Sequence, residues 1–384
     1  MVSHPILTIA HELQPLIREH LSQGEQRARL AKEVVTAVGQ AGLFRLFAPH
    51  EVGGLEVPPP VALAAIEAIS AADPSVGWYM GNSIPACLVA ASLPERARAE
   101  LFAEPNLNFG FSASPGGRAV PVDGGYRVRG QWPVVTGCED AKWCALAGLV
   151  MDGERPRQVN GVPDGRLFLI PTAALDIAPT WQEAAAMRGT GSNAVSVHEV
   201  FVPEVFAHTS AKPLVIDRPL FRLPLPLMFF FNGPAVAFGV LGTALQSAVE
   251  SLGTKVSSYS GQTLRDQAPT QELIANSDAA LRAARAGVIE ALTAVWEVAS
   301  TGAEVSLRLR ASFYASCFYA LDIVRDTISR LYARGTRAAF LQGNPVERAL
   351  RNLHAIAFGF EAGRGFHHSA GRVLLGGEPL DPSF

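Results

Sequence analysis

Two short segments in the middle of the chain carry residue types that could hold a planar, redox-active ligand. The first, residues 130–138, reads GQWPVVTGC and places Thr136 and Gly137 after a strand-like run. A hydroxyl group beside a glycine lets a side-chain oxygen and backbone N–H groups approach a ligand closely. A flavin needs such groups along its N5 and O4 edge, because reduction places charge there. Taken alone, however, this segment is explained better as a strand followed by an ordinary turn than as a flavin-binding site.

The second segment, residues 187–193, reads MRGTGSN and combines two glycines with hydroxyl and guanidinium side chains. A loop of this kind is rich in hydrogen-bond donors and suits an anionic or carbonyl-rich ligand. Its glycine spacing excludes a Rossmann fingerprint, and the absence of Gly-Lys-Ser or Gly-Lys-Thr excludes a Walker loop. A polar hairpin connection explains the same residues equally well on physical grounds.

The elements that must position these segments change character twice along the chain. Helical patterns fill the first hundred residues, where Asp73 and Pro74 supply the cap and first turn of one helix. Short β-rich runs follow from about Pro105, and long amphipathic helices return from about Pro226. We predict helices over 61–71, 75–91, 306–334 and 346–358, and antiparallel strands over 126–130, 146–150, 167–170 and 195–202. The fold is therefore predicted to be α+β, with domains 1–104, 105–212 and 213–384.

Composition restricts the partners and the compartment. The net charge is -3 and the Lys and Arg residues are scattered, so neither nucleic acid nor an anionic membrane is expected as a partner. Only 17% of the residues are charged, which suggests a surface partly covered by another subunit. The four cysteines form no CxxC pair and no cluster with metal-ligand spacing, so no metal site is expected. Residues 1–9 lack a secretory pattern and the apolar stretch 223–252 is interrupted by Pro and Gly, which predicts a soluble cytoplasmic protein.

The order of motifs along the chain resembles that of the acyl-CoA dehydrogenase superfamily. The matching motifs are GGYRV at 124–128, GQW at 130–132, TGC at 136–138, MRGTGS at 187–192 and FVP at 201–203. Stretches 42–54, 73–78 and 345–376 are similar to the helical domains of that family. The resemblance spans nearly the whole chain and is closest to the two-component monooxygenases that take reduced flavin from a reductase. It implies an N-terminal helical domain, a central antiparallel β-barrel or sandwich domain, a C-terminal four-helix bundle and a homotetramer.

The resemblance also implies which residues would contact the flavin, either FMN or FAD. The residues that would line the isoalloxazine ring, with the first of them near N5, are Thr136, Gly137, Cys138 and Trp132. The loop residues that would lie along the flavin and substrate cavity are Arg188, Thr190, Gly191 and Ser192. The basic residues that would hold the flavin phosphate are Arg265, Arg348 and Arg351, each of which is also consistent with a solvated helix face.

The chain departs from the family pattern at the catalytic positions. No glutamate stands where acyl-CoA dehydrogenases place their proton-abstracting base, and Gly359 stands where the monooxygenase branch commonly has a histidine. His367 and His368 follow closely and could supply the missing acid or base, together with Thr136 as a hydrogen-bond donor. The alternative is that both histidines are exposed or structural.

The resemblance predicts a reduced-flavin-dependent monooxygenase that uses dioxygen to hydroxylate a small aromatic, polycyclic or heteroatom-containing molecule. A separate reductase would supply the reduced flavin. The aromatic residues that could wall the substrate pocket, or simply belong to the core, are Phe109, Phe111, Phe230 and Trp296. Two alternatives stay open at this point: an acyl-CoA dehydrogenase or oxidase, and a flavin-binding protein whose catalytic site has lapsed.

Overall fold

The computed structural model of the protein describes residues 4–159, 161–209, 216–381 and 383–384. Helices occupy both ends of the described chain and strands occupy its middle. The N-terminal helices are α1 (Pro5–Glu12), α2 (Gln14–Arg27), α3 (Lys32–Gln40), α4 (Pro59–Ser70), α5 (Pro74–Ala91) and α6 (Glu95–Phe102). The C-terminal helices are α7 (Leu225–Phe230), α8 (Asn232–Thr254), α9 (Ala268–Ser300), α10 (Leu307–Arg334), α11 (Pro345–Glu361) and α12 (Arg364–Leu374).

Helix α5 begins as its sequence predicts. The Asp73 carboxylate accepts a hydrogen bond from the backbone N–H of Ser75 at 2.7 Å, and Pro74 occupies the first turn. The predicted span of this helix is confirmed to within one residue. Along α5 every side chain is buried except Trp78 and Asn82, which are one helical turn apart and partly exposed. Trp78 and Asn82 therefore form the one partly exposed face of this core helix, called here the open stripe of α5.

The strands form one large sheet and a small hairpin. They are β1 (Phe109–Val122), β2 (Gly125–Trp132), β3 (Trp143–Asp152), β4 (Arg155–Pro156), β5 (Gln158–Val159), β6 (Val162–Pro163), β7 (Gly165–Pro171), β8 (Asp176–Ala178), β9 (Ala194–Pro203) and β10 (Ala207–Thr209). Neighbours in the large sheet follow the order β10-β7-β3-β1-β2-β9-β8, with β4 beside β3, while β5 and β6 pair separately.

The large sheet is mixed rather than antiparallel. Strands β1 and β3 run parallel, with Phe109 opposite Trp143, whereas the other pairs in this sheet are antiparallel. The prediction of an antiparallel domain is therefore wrong for this pair. Residues 133–142 carry the chain from the end of β2 back to the level of Phe109, so β3 starts in the same direction as β1. The alternation within one strand does not report the direction of its neighbour.

Trp132, at the end of β2, lies inside the β domain. Its side chain is fully buried, and its Nε1–H donates to the carbonyl of Ala147 at 2.8 Å. Glycines border the indole ring, since a Cβ on Gly116 or on Gly130 would lie 2.9 Å from it. The ring fills the space that these glycines leave, so Trp132 is a core residue of the sheet.

The C-terminal helices α8 to α11 pack against one another as the predicted four-helix bundle, and α12 packs on α10. The stretch Leu225–Thr254 is long and apolar enough to cross a membrane by length and composition. Its most apolar window is 72% buried inside the protein, where α8 packs against α4, α5 and α11. The hydropathy of this stretch is explained by its place in the core.

Two hydrophobic cores hold the described chain together. The larger contains residues of the N-terminal helices, such as Phe47 and Ile66, together with residues of the C-terminal helices, such as Phe231 and Leu241. The smaller belongs to the sheet and includes residues from the C-terminal half of α5 and from α6. The terminal helical segments thus share one core, and the exact domain boundaries stay a prediction.

Candidate functional site

The two segments singled out in the sequence meet at one junction. Thr136 Oγ1 lies 3.0 Å from Ser192 Oγ, although 56 residues separate them. The backbone N–H of Gly137 donates to the carbonyl of Thr190 at 3.0 Å, and the Cys138 thiol points to the carbonyl of Gly191 at 3.7 Å. The structure therefore brings together the predicted residues on both segments, apart from Trp132 and Arg188.

The sheet and helix α5 fix Thr136 and Gly137 from two sides. Thr136 forms a two-bond antiparallel bridge with Phe111 of β1, with N···O distances of 3.0 and 3.1 Å. Gly137 has φ of +71°, and a Cβ there would lie 2.2 Å from the ring of Tyr79 on α5. Glycine is needed here both for the left-handed backbone and for the close approach of the tyrosine.

Three hydroxyl groups form a continuous hydrogen-bonded chain across the junction. Ser192 Oγ lies between Thr136 Oγ1 at 3.0 Å and Thr190 Oγ1 at 2.8 Å. Thr190 Oγ1 in turn donates to the carbonyl of Met187 at 2.7 Å. All three side chains are buried, so each hydroxyl depends on its neighbours for hydrogen bonds.

Arg188 is a brace for the loop rather than a free cation. Its guanidinium donates to the carbonyls of Glu25, Gln182 and Ala184. These bonds use the Nε and Nη1 groups of Arg188 to hold the loop, and its predicted flavin contact stays a prediction. The loop is also held from the bundle, because the N–H of Met187 donates to Asn352 Oδ1 of α11 at 2.8 Å.

The three arginines predicted to bind phosphate have different surroundings. Arg348 is paired with Glu25 at 3.2 Å, and Arg351 is paired with Glu347 and donates to a carbonyl of the β domain. Arg265 is exposed in the segment before α9, and its nearest acidic partner, Asp266, is 3.7 Å away. Of the three, Arg265 is the one whose guanidinium is open to a further ligand.

The predicted histidines lie on α12, which packs on α10. The imidazole of His367 stacks on Phe318 of α10, with ring centroids 4.7 Å apart and planes 7° from parallel. Burial, followed by the nearby Arg364 guanidinium, lowers the pKa of His367 and favours the neutral ring. His368 is exposed. A Cβ at Gly359 would lie 3.6 Å from the Trp78 ring, which is ordinary contact distance.

The predicted aromatic residues divide into two groups. Phe111 stacks on Phe229 with ring centroids 5.0 Å apart, and Phe230 contacts Phe318 and Phe360. Phe109 is fully buried within the β domain. Trp296 lies on α9 against the helical core. Phe111 and Phe230 therefore lie in aromatic clusters, whereas Phe109, Trp132 and Trp296 pack into or against the cores. A role of each of these residues in lining the flavin or the substrate stays a prediction.

Sequence reasoning missed three residues near the junction. Val134, two residues before Thr136, is 45% exposed, although its neighbours Val135 and Thr136 are buried. Trp78 and Asn82 form the open stripe of α5, and Trp78 faces both Gly359 and Phe360. The available signal was the placement of a large aromatic and an amide at i and i+4, on one face of a helix that is otherwise mostly apolar.

The donor set at the junction fits a flavin better than a metal ion or a phosphate. It offers buried hydroxyls next to an exposed valine and an aromatic pair, with no cation among the atoms at its centre. Among the described residues, no group of three or more His, Cys, Asp or Glu could hold a metal ion. Apolar contact with hydroxyl groups at one edge is what an isoalloxazine ring requires.

Helical segments before and after a mixed sheet, with a flavin-compatible junction between two loops of that sheet, define a fold of the acyl-CoA dehydrogenase type. The family model "Acyl-CoA dehydrogenase, N-terminal domain" matches residues 8–99, and "Acyl-CoA dehydrogenase, C-terminal domain" matches residues 234–359. The chain belongs to the acyl-CoA dehydrogenase superfamily.

Proteins with similar sequence or structure include flavin-dependent monooxygenases. The oxygenase subunit HsaA of a flavin-dependent monooxygenase from Mycobacterium tuberculosis is 28% identical over 91% of this chain and 90% of its own length. The HsaA crystal structure superposes with a TM-score of 0.90 at 26% identity, covering 99% of both chains. Indole-3-acetate monooxygenase from Acinetobacter baumannii is 26% identical over 94% of this chain and 92% of its own length. The structure of XiaF from Streptomyces sp., in complex with FADH2 and glycerol, has a TM-score of 0.87 at 25% identity, covering 99% and 97%.

Proposed function

We propose that this protein is the oxygenase component of a two-component monooxygenase that hydroxylates a small aromatic or heteroaromatic molecule. A separate reductase supplies the reduced flavin. The observation that carries the proposal is the junction of Thr136, Gly137 and Ser192, in a fold that superposes on HsaA over nearly its whole length. Reduced FAD is the first candidate cofactor, because XiaF was crystallised with FADH2, and reduced FMN is the alternative.

A bound reduced flavin would supply the electrons that activate dioxygen for transfer of one oxygen atom to the substrate. Thr136 and Gly137 would hold the polar edge of the ring, and Val134 would contact its apolar surface. Phe111, Phe229 and Phe230 would exclude water and pack against an aromatic substrate. Phe318 covers one face of the His367 ring, whose edge nitrogens stay able to accept a proton, and the lowered pKa of His367 favours the neutral form that a base requires. A catalytic role for His367 or His368 stays a prediction.

The proposal extends to assembly and compartment. Large apolar side chains are exposed on the helical surface, including Phe358 at 79% and Leu375 at 91%, which supports coverage by other subunits in a homotetramer. All four cysteines are buried and unpaired, which supports a reducing, cytoplasmic environment. Light scattering on the purified protein tests the tetramer, and a monomer at micromolar concentration would contradict it.

The function is tested by mixing the anaerobic protein with reduced FAD or FMN, then with oxygenated buffer containing phenols and indoles. We expect hydroxylated product in an amount that approaches the flavin oxidised. Stoichiometric release of hydrogen peroxide with every compound, and no product, would favour the lapsed-site alternative that Gly359 suggests. Bleaching of bound oxidised flavin by acyl-CoA thioesters would instead indicate a dehydrogenase.

A further inference from the structure

The hydroxyl chain at the junction has one proton whose position the protein leaves open. Met187 contributes a carbonyl, which only accepts, so the proton of Thr190 Oγ1 is directed to it at 2.7 Å. Ser192 Oγ lies within hydrogen-bond distance of both threonine hydroxyls, and it has one proton to donate. Two arrangements of the chain are therefore compatible with the same heavy-atom positions.

In one arrangement the Thr136 hydroxyl is a hydrogen-bond acceptor toward a ligand, and in the other it is a donor. If Ser192 donates to Thr190, Thr136 donates to Ser192 and presents only lone pairs to a ligand. If Ser192 donates to Thr136 instead, the Thr136 proton is free and points to the ligand. Switching between them requires only rotation of two hydroxyl groups, because no proton leaves its oxygen.

The two redox states of a flavin require opposite hydrogen-bonding partners at the ring nitrogen N5. Its ring nitrogen N5 accepts a hydrogen bond when the flavin is oxidised and carries an N–H donor when it is reduced. We propose that the chain Thr136–Ser192–Thr190 selects for reduced flavin by making Thr136 a hydrogen-bond acceptor at N5. This inference rests on the proposed function and on placing Thr136 at that edge.

The preference follows from the number of satisfied donors. In the first arrangement each of the three hydroxyl protons has a partner within the protein, and Thr136 is ready to accept from a reduced flavin. The second arrangement leaves the Thr136 proton unpaired until a ligand accepts it. Because these side chains are buried, an unpaired donor is unfavourable. The site is therefore preorganised for the reduced cofactor.

The test is the ratio of the dissociation constants for oxidised and reduced flavin, measured anaerobically by fluorescence titration on the full-length protein. Ser192→Ala removes the group that receives the Thr136 proton. We expect the ratio to fall about fivefold, the size of one net hydrogen bond, mainly through weaker binding of reduced flavin. The reduction potential of bound flavin should fall correspondingly, since a thermodynamic cycle links it to this ratio.

Thr190→Val tests the chain from its other end. Without Thr190 Oγ1, Ser192 has Thr136 as its remaining hydroxyl partner and donates to it, which is the arrangement that suits oxidised flavin. The ratio should therefore fall in the same direction by at least as large a factor. Ser277→Ala is the matched control, because Ser277 is equally buried and its hydroxyl bonds to a carbonyl within α9. Its ratio should stay at the wild-type value.

The outcomes separate the inference from the proposed function. A wild-type ratio in both Ser192→Ala and Thr190→Val overturns the selection by the hydroxyl chain while leaving the oxygenase proposal intact. Failure of the wild-type protein to bind either form of the flavin overturns the proposed function itself. If Ser192→Ala does not fold, Thr190→Val gives the deciding ratio.

Discussion

At the scale of single residues, two glycines of the β domain have nearly the same left-handed backbone but different surroundings. Gly137 has φ of +71° and Gly124 has φ of +75°. A Cβ at Gly137 would lie 2.2 Å from Tyr79, whereas a Cβ at Gly124 would meet nothing within 4 Å. Substituting alanine at each glycine therefore separates two contributions to the free energy of unfolding. Gly124 reports the backbone conformation alone, and Gly137 reports the backbone conformation together with steric overlap.

We expect Gly124→Ala to lower the free energy of unfolding by about 1–2 kcal/mol through the backbone alone. Gly137→Ala should cost about 1–3 kcal/mol more, because Tyr79 must move to admit the methyl group. Urea denaturation of the flavin-free protein measures both. Flavin affinity should fall only in Gly137→Ala, and equal effects of the two changes would show that Tyr79 yields without consequence.

The residue types at the junction could be predicted from the sequence, and strand alternation bears on one further predicted residue, Trp132. The hydroxyl and glycine residues of segments 130–138 and 187–193 were expected to act together, and the structure joins them. Trp132 was expected to line the same site. It has the strand parity of Tyr126 and Val128, which are also buried, so period-two alternation already directed it into the core.

At the scale of elements, helix α11 and its capping position each have an asparagine whose side chain accepts a backbone hydrogen bond. Asn352 Oδ1 accepts from Met187 of the loop at 2.8 Å, and Asn344 Oδ1 accepts from Val346 at 2.9 Å as the helix cap. Only the first bond joins the C-terminal bundle to the β domain. Alanine substitutions at the two asparagines therefore distinguish the loss of loop support, at Asn352, from the loss of helix stability, at Asn344.

Asn352→Ala should lower the free energy of unfolding by about 1–3 kcal/mol, because it leaves a buried N–H without a partner. It should also weaken flavin binding, since the loop that carries Thr190 and Ser192 loses its anchor. Asn344→Ala should cost about 1 kcal/mol as a lost cap and leave flavin affinity unchanged. Isothermal titration with reduced flavin checks both, and unaltered affinity in Asn352→Ala would contradict an anchoring role.

Features encoded by neighbouring residues could be predicted from the sequence. Features that depend on contacts between residues far apart in the chain could not. The start of α5 is encoded in Asp73 and Pro74, next to the residues that they cap. The parallel pairing of β1 with β3 depends on how residues 133–142 return along the sheet, and no single strand encodes it. The hydrogen bonds from Arg188 to three carbonyls could not be predicted either, because one of these carbonyls belongs to Glu25, which is distant from Arg188 in the sequence.

At the scale of the whole molecule, the larger core joins both ends of the chain. Phe47 from the N-terminal part contacts Phe231 beside α8, with ring centroids 6.0 Å apart, and both are buried. Phe168, also fully buried, belongs to the separate core of the sheet. The effects of a substitution in the larger core should therefore extend across sequence-distant helices. The effects of a substitution in the smaller core should be concentrated in the sheet and in the parts of α5 and α6 that pack on it.

We expect Phe47→Ala to lower the free energy of unfolding by about 3–5 kcal/mol, as large-to-small changes in a core do. Hydrogen exchange should speed up in α8 as well as in the N-terminal helices. Phe168→Ala should be comparably destabilising but should affect exchange mainly in β3 and β7. Loss of protection confined to residues 4–103 in Phe47→Ala would show that the two ends fold independently.

The shared core also has a consequence for synthesis on the ribosome. Helices α1 to α5 emerge first, yet much of the surface that covers them belongs to residues beyond 219. At ordinary translation rates, more than a hundred intervening residues take roughly ten seconds to appear. During that interval the apolar faces of the nascent N-terminal helices lack their native partner. We expect the growing chain to bind holdase chaperones until α8 emerges, with the β domain completed before the helices on either side of it.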